Sequence, residues 1–319
     1  MTCSVLILNY NGRRHLEQCL PSLVVAAGKL AGECPIVVVD NRSTDDSMAW
    51  LREHYSNVET VIAKRNDYLF TLNDVVASRK EDFVVILNND MRFDENFIRA
   101  MLPHFNDPDV FAVTARVMDW DGKQVTTGQR IGRIQRFWFY KSWRFEMDHP
   151  CLTLDAGGGY AAFRRKMFVD LGGFDELYRP GYYEDTDLSF RAWQRGWKVI
   201  YEPGSIVFHK ESASMLERFG SRGQARLVCR NHLLFTAKNV GGWGFLLGFL
   251  LLLPIRAIRP LFRGDMLPLQ AFLAALPRLP SAIYARLRER RHGRFSNEFL
   301  RNFAQDARPL DPVAPKISC

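Results

Sequence analysis

A mostly parallel α/β sheet flanked by helices is the fold class this sequence predicts, and three observations predict it. Short β-branched or aliphatic runs alternate with stretches of helical periodicity through residues 4 to 90. Two of those runs, Ile36 to Val39 and Phe83 to Leu87, are uninterruptedly apolar, as strands covered on both faces must be. The same two runs end in polar clusters, Asp40-Asn41-Arg42-Ser43 and Asn88-Asn89-Asp90. Ligands of open α/β sheets bind beyond the carboxyl ends of the strands, so these clusters mark where a site is expected.

The elements follow in order. "SVLIL" carries an apolar run from Val5 to Leu8 with no basic region before it, so it reads as a buried strand and not as a signal peptide. After it come helix "RRHLEQCLPSLVVAA", strand "PIVVVD", helix "DDSMAWLREHY", strand "VETVIA", helix "TLNDVVASRK" and strand "DFVVILNND". From Val110 to Pro150 the pattern is less regular, with "DWDGKQ" as a turn. The stretch "RFWFYKSWRF" interleaves aromatic and basic residues, which suits stacking on sugars or bases and equally suits a strand pair laid over the sheet or a partner surface. "GYYEDTDLSFRAWQRGW" predicts a helix with Phe190, Trp193 and Trp197 on one buried face. The acids at its head, Glu184, Asp185 and Asp187, either cap that helix or carry chemistry.

Charge divides the chain. The net charge is +8, yet residues 211 to 319 hold 17 Lys and Arg against 7 Asp and Glu, so the first 210 residues are slightly acidic. Six cysteines without CxxC pairing argue against a zinc site and a disulfide framework, and fit a reducing, cytosolic setting. The apolar run from Trp243 to Ile255 is too short to cross a bilayer and is followed by Arg256, Arg259 and Arg263. Apolar helices edged with arginine read as lying in a membrane interface, the other reading being a helical hairpin packed on the rest of the chain or on a second copy. The leucine density argues against nucleic acid.

Several separated pieces match one pattern: "SVLILNYNG", "VVVDNRSTDDS", "ILNND", "GGGYAAFRRKMFVDLGGFDE", "GYYEDTDLSFRAWQRGWKVIYEP" and "SIVFHK". Together they resemble a bacterial family 2 glycosyltransferase of the rhamnosyltransferase-like kind, over roughly residues 3 to 210. The resemblance implies a GT-A fold over residues 1–210, with a nucleotide-binding half to about 110 and an acceptor half over 111–210. Residues 211–319 are expected to form a basic, amphipathic helical extension that associates with the membrane or supports oligomerisation.

The resemblance also implies a site. Asp40 falls at the position that holds the nucleotide, with Asn9 and Asn11 nearby. The metal-binding "DxD" falls on Asn88-Asn89-Asp90, so Asp90 is the expected ligand of Mg²⁺ or Mn²⁺, with His209 as the second and Asn88 and Asn89 beside the donor. Relatives carry an Asn-x-Gly-Phe-like loop near residue 66. Here "KRNDYLFTLN" keeps Asn66 and Asn73 as donor contacts but loses the glycine that eases a positive φ. The base of the family's "ED" pair maps onto Asp185, with Glu184 and Tyr183 as acceptor contacts. Gly157, Gly158 and Gly159 are expected to line the donor sugar or the acceptor. An ionised carboxylate at a helix N-terminus, where the dipole favours it, is what direct, inverting displacement needs. The activity implied is sugar transfer from a nucleotide diphosphate donor, dTDP-rhamnose or a UDP-sugar, to a saccharide or lipid-linked acceptor on the cytoplasmic face of the cell membrane. The reduced "NND" triplet and the missing glycine leave an alternative, a degenerate nucleotide-sugar-binding or assembly protein at the membrane.

Overall fold

The structure, a computed structural model, describes residues 1–210, 213–290 and 297–302. Its sheet begins as the sequence predicts, with β1 (Cys3–Asn9), α1 (Arg13–Gly28), β2 (Ile36–Asp40), α2 (Ser47–His54), β3 (Glu59–Ile62), α3 (Thr71–Ser78) and β4 (Phe83–Asn88). β4, β1, β2 and β3 lie side by side and parallel. Their continuous apolar runs cover two faces, because alternate residues point to opposite sides. Leu6, Val37, Val39, Val84 and Ile86 enter one core, and Val5, Ile7, Val38, Val85 and Leu87 the other. α1 closes the second core with Leu16, Cys19, Leu20, Leu23 and Ala26 at helical spacing.

The sheet then grows in mixed sense. After β5 (Met91–Phe93) and α4 (Phe97–Met101) comes β6 (Val110–Asp119), turned at Gly122 into β7 (Val125–Thr127) where "DWDGKQ" predicts a turn. The aromatic-basic stretch is a strand pair, as one of its two readings expects: β8 (Gln129–Gln135) and β9 (Trp138–Arg144) form a hairpin apart from the main sheet. β10 (Cys151–Leu152) pairs with a later strand, and β11 (Tyr160–Arg164) runs antiparallel between β4 and β6 before α5 (Arg165–Asp170). α6 (Glu184–Gln194) precedes β12 (Lys198–His209), which is parallel to β6 and antiparallel to β5. α6 stops at Gln194, and Gly196 takes φ +82°, so Trp197 stands beyond the helix and not on its face. It packs on Phe111 instead.

Beyond residue 210 the composition changes but the packing does not. α7 (Ala213–Asn239), broken at Gly220, brings Leu233, Leu234, Phe235 and Val240 into the same core as Leu6 and Ile86. α8 (Trp243–Ile258), α9 (Leu267–Ala275) and α10 (Leu279–Glu289) follow, with a short last helix, α11 (Phe299–Asn302). α10 locks the end of α7: the fully buried Arg286 donates to the carbonyls of Ala237, Val240 and Gly241, acceptors that a helix terminus leaves without partners. α7 thereby joins the same core as the sheet.

A correction concerns the length of α8. A 3-10 segment, Arg259–Arg263, continues it, so the helical stretch from Trp243 runs 21 residues and contains an 18-residue window of mean hydropathy 1.8. By length and composition that suffices to cross a membrane, where the apolar run to Ile255 alone would not. Leu246, Phe249 and Leu253 nevertheless lie in the protein core. Among the described residues Cys3, Cys19 and Cys34 are free thiols.

Candidate active site

The parallel strand ends converge as predicted. Asn9 stands opposite Asp40, and Asn88 opposite Leu8. Asn9 is fully buried, and its Nδ2 reaches Asp40 Oδ1 at 3.3 Å, Ser43 Oγ at 3.2 Å and Ser47 Oγ at 3.3 Å. Its Oδ1 accepts from Asn89 Nδ2 at 2.7 Å. Asn9 therefore holds Asp40, and Asn89 holds Asn9 by the other end of its amide. Asp40 also accepts from the Ser43 backbone at 3.0 Å and from its hydroxyl at 2.5 Å. Asn11 stands at the surface with φ +49° and accepts from the Thr44 backbone at 2.7 Å. Gly12 is required here, since a Cβ on it would fall 2.2 Å from Asn89 Nδ2 and 2.5 Å from Asn9 Oδ1. Sequence reasoning passed over this glycine, although "NYNG" displays it.

The loop without its glycine still takes a positive φ. Tyr68 adopts +52°, and Asn41 Nδ2 holds its carbonyl at 2.8 Å. A side chain in that region costs roughly 1–2 kcal/mol, which the Asn41 hydrogen bond helps to offset. Asn66 accepts from the Tyr68 backbone at 3.3 Å. Asn73 serves elsewhere: its amide donates to the Phe174 carbonyl at 2.9 Å and accepts from the Phe174 N–H at 2.8 Å. Both ends of that side chain clamp the α5–α6 connection.

β12 ends beside β5, with His209 opposite Met91, and this pairing brings His209 next to Asp90. His209 Nε2 lies 3.4 Å from Asp90 Oδ2, while Asp90 Oδ1 is buried without a hydrogen-bond partner. A buried carboxylate oxygen left unpaired is costly, and a divalent cation is a partner that would satisfy it. The donor set, one carboxylate and one imidazole, fits a metal whose other positions come from phosphate and water. Among the described residues no group of three or more His, Cys, Asp or Glu side chains is placed to hold a metal.

On the opposite side α6 begins at Glu184 after Tyr182 and Tyr183, both with φ above +70°. Asp185 is thus in the first turn, its Oδ1 accepting from the Thr186 backbone at 2.7 Å. Glu184 is buried, its Oε2 has no hydrogen-bond partner, and burial with the neighbouring Asp185 charge pushes its carboxyl up to about 8. Of the three glycines, Gly158 faces this pair: a Cβ there would meet Leu69 at 3.2 Å, Asp185 Cβ at 3.6 Å and Glu184 Oε1 at 3.9 Å. Gly157 makes room for the Tyr160 ring, and Gly159 for the Asn88 side chain. The Tyr183 ring is wedged between Lys141 Nζ, 4.9 Å from its centre, and Phe235 and His232 of α7.

Two ion networks brace this side, and sequence reasoning found neither. In the first, Arg130 on β8 donates to Asp155 Oδ1 at 2.5 Å and to the Tyr160 hydroxyl, and lies 3.8 Å from Asp185 Oδ2. Lys141 on β9 reaches Thr186 Oγ1 at 2.9 Å and Asp155 Oδ2 at 3.4 Å. Burial alone would raise the Asp155 carboxyl, but Arg130 and Lys141 outweigh it and draw it down to about 2. In the second, the fully buried Lys238 of α7 lies 2.7 Å from Asp187 and 2.6 Å from Asp175. Arg191, Tyr178 and Asn239 complete the shell around Asp187 at 2.7, 2.8 and 2.7 Å. Burial would raise Asp187 too, yet Lys238 and Arg191 hold it well below the usual carboxylate range. Asp187 is thus held inside the fold by its cations. The only sequence signals were single charges set among apolar residues, which carry no pairing information.

With this geometry in hand, comparison with known proteins is direct. The family model described as "Glycosyl transferase family 2" matches residues 4–172. The O-antigen chain rhamnosyltransferase WbaN of Salmonella anatum is 28% identical over 232 residues, covering 65% of this chain and 73% of that one. Among solved structures, GalNAc-T7 with UDP, GalNAc and Mn²⁺ superposes with a TM-score of 0.59 at 16% identity, over 85% of this chain and 54% of that one. The mannosyltransferase PcManGT of Pyrobaculum calidifontis with GDP-Man and Mn²⁺ gives 0.54 at 18% identity, over 90% and 75%. At these identities the structural likeness speaks to the fold, which is GT-A.

Proposed function

The chain belongs to glycosyl transferase family 2 and is a glycosyltransferase, and from that premise we propose that it transfers a sugar with inversion from a nucleotide diphosphate donor. The donor is dTDP-rhamnose or a UDP-sugar, and the acceptor a saccharide or lipid-linked saccharide in cell-surface polysaccharide synthesis. The observation that carries this reading is the division of acids: Asp185 in the first turn of α6, and Asp90 with an unpartnered oxygen beside His209.

Asp185 takes the proton of the acceptor hydroxyl as that oxygen attacks the anomeric carbon, and Arg130 at 3.8 Å fixes the carboxylate's direction. The N-terminal dipole of α6 favours the ionised form that this step needs. Glu184, held protonated near neutral pH, offers its O–H to an acceptor oxygen, with the Tyr183 ring beside it. Asp40, Asn11 and Asn66 surround the nucleotide, with Asn9 and Asn89 setting Asp40 from behind and Asn88 next to the donor. Gly158 lets the donor sugar approach Asp185. Asp90 and His209 would hold Mg²⁺ or Mn²⁺, which when bound neutralises charge on the departing diphosphate.

Catalysis is placed on the cytoplasmic face of the cell membrane. Trp243, Leu247, Leu251, Ile255, Ile258 and Phe262 are exposed at spacings of three and four residues, an apolar stripe along α8 and its 3-10 extension. Because the other side of α8 lies in the core, a helix resting in the interface fits better than one crossing the bilayer.

Calorimetric titration of dTDP-, UDP- and GDP-sugars with Mg²⁺ or Mn²⁺ tests the reading. One donor should bind, chelator should weaken it at least about tenfold, and Asp90→Ala and His209→Ala should do the same. Donor affinity indifferent to chelator and to both substitutions would overturn it.

A further inference from the structure

A cavity of about 690 Å³ lies between the tip of the β8–β9 hairpin and helices α7, α8 and α9, away from the strand ends that form the site above. Trp138, Leu233, Leu253 and Phe272 give part of its wall an apolar character, while Arg256, Arg259 and Arg263 line it from α8 and the 3-10 turn. These arginines are not alike. Arg256 donates to the carbonyls of Arg136 and Phe137 and stacks over Trp138 at 4.6 Å, so it fastens the hairpin. Arg259 and Arg263 have no ion pair or hydrogen bond from their side chains among the described residues. The one acid in the lining among the described residues, Asp265, accepts from the Leu267 backbone as a local cap.

Two unpaired guanidinium groups beside an apolar hollow suit a ligand that is anionic at one point and apolar at another. Arginine forks match the paired oxygens of a phosphate. A free anion would make no use of the apolar wall, and a neutral lipid no use of the arginines. The cavity also has a direction. On one side the exposed stripe continues through Ile255, Ile258 and Phe262, the last 88% exposed. On the other, Trp138 meets the His232 ring at 4.9 Å, and His232 meets Tyr183 at 5.7 Å, directly before Glu184 and Asp185. Apolar surface, cationic hollow and base thus follow one another in that order.

We propose that this cavity holds the phosphate of a lipid-linked acceptor, with Arg259 and Arg263 on its oxygens, its chain along the α8 stripe and its saccharide turned toward Asp185. The inference rests on the glycosyltransferase reading and names the acceptor's chemistry: a saccharide joined through phosphate to an apolar chain. Arg259 and Arg263 act in acceptor binding and take no part in donor binding.

The test uses the full chain with dodecyl phosphate as probe, and dodecyl glucoside and inorganic phosphate as controls, titrated by calorimetry. Dodecyl phosphate should bind saturably and at least about tenfold more tightly than either control. Arg259→Gln with Arg263→Gln should weaken it at least about tenfold, through loss of charge-assisted hydrogen bonds, without changing donor affinity or melting temperature. Equal binding of dodecyl glucoside, or an unaffected double variant, overturns the proposal. Displacement of dodecyl phosphate by phosphatidylglycerol vesicles overturns it too, assigning the hollow to bilayer lipid. Transfer to a water-soluble saccharide keeps the two readings apart: if the double variant retains that transfer and binds the probe like wild type, the site fails alone. If wild type transfers to no acceptor, the functional reading fails while the titration still decides whether the cavity binds such an amphiphile.

Discussion

The donor side and the acceptor side of the site are built on different physics. Around Asp40 the partners are an amide and a hydroxyl-bearing turn, Asn9 and Ser43, with Asn89 and Ser47 bonded to Asn9 in turn. Around Asp185, Asp155 and Asp187 the partners are cations, Arg130, Lys141, Arg191 and Lys238, and two of them come from a hairpin and one from α7. A network of neutral donors at adjoining strand ends is set once the parallel strands align. Buried ion networks depend on every element that supplies a charge, and removing one partner leaves the other unpaired in a medium of low polarity. The acceptor side is therefore the side that a distant substitution can break.

The largest effect should come from Lys238→Met. It strands Asp187 and Asp175, and unfolding in urea should show a loss of about 3–5 kcal/mol at neutral pH. The sign with pH follows from Asp187. Its carboxyl is held below the usual range in the folded chain, so the stabilisation is present at neutral pH and is lost as acid protonates it. The gap between wild type and variant should narrow on acidification, and a gap independent of pH would contradict the network.

Glu184→Gln should have the next largest effect and the opposite pH sense. The raised carboxyl favours the protonated form in the fold, so its contribution is complete below about 4.5 and lost as pH rises through about 8. Urea unfolding at pH 5 and pH 8.5 should show the variant gaining on wild type at the higher pH, by on the order of a few kcal/mol. No change in the difference between the two pH values would mean that Glu184 is not held protonated. Asn73→Ala is the smallest: losing the clamp on Phe174 should cost about 1–2 kcal/mol in melting experiments while donor affinity stays within about twofold. A large loss of donor affinity would return Asn73 to the donor site.

The same contrast explains what was legible in the sequence. β1 to β4 and their polar ends could be read because pattern and position are local: an apolar run, then Asp40 or Asp90. Asp185 and His209 were found through ordered motifs, and the structure sets each where its motif predicts, at the head of α6 and at the end of β12. Arg130, Asp155 and Lys238 were missed because their meaning lies in pairs 25 and 51 residues apart, which no local period encodes. Asn73 shows the complementary limit: an amide at a familiar spacing carries no mark of which backbone it will hold. At residue 210 the charge composition changes, while the apolar face of α7 continues the core, so composition and packing report different things there.

The central claim is that Asp185 removes the acceptor proton while donor binding is organised elsewhere, and Asp185→Asn tests it most directly. Asparagine keeps the shape of the side chain and cannot take a proton. Measured under single turnover with a bound donor, transfer should fall by about 10²–10⁴-fold, with donor affinity in the presence of Mg²⁺ or Mn²⁺ within about twofold of wild type. Near-normal transfer by Asp185→Asn would contradict the account.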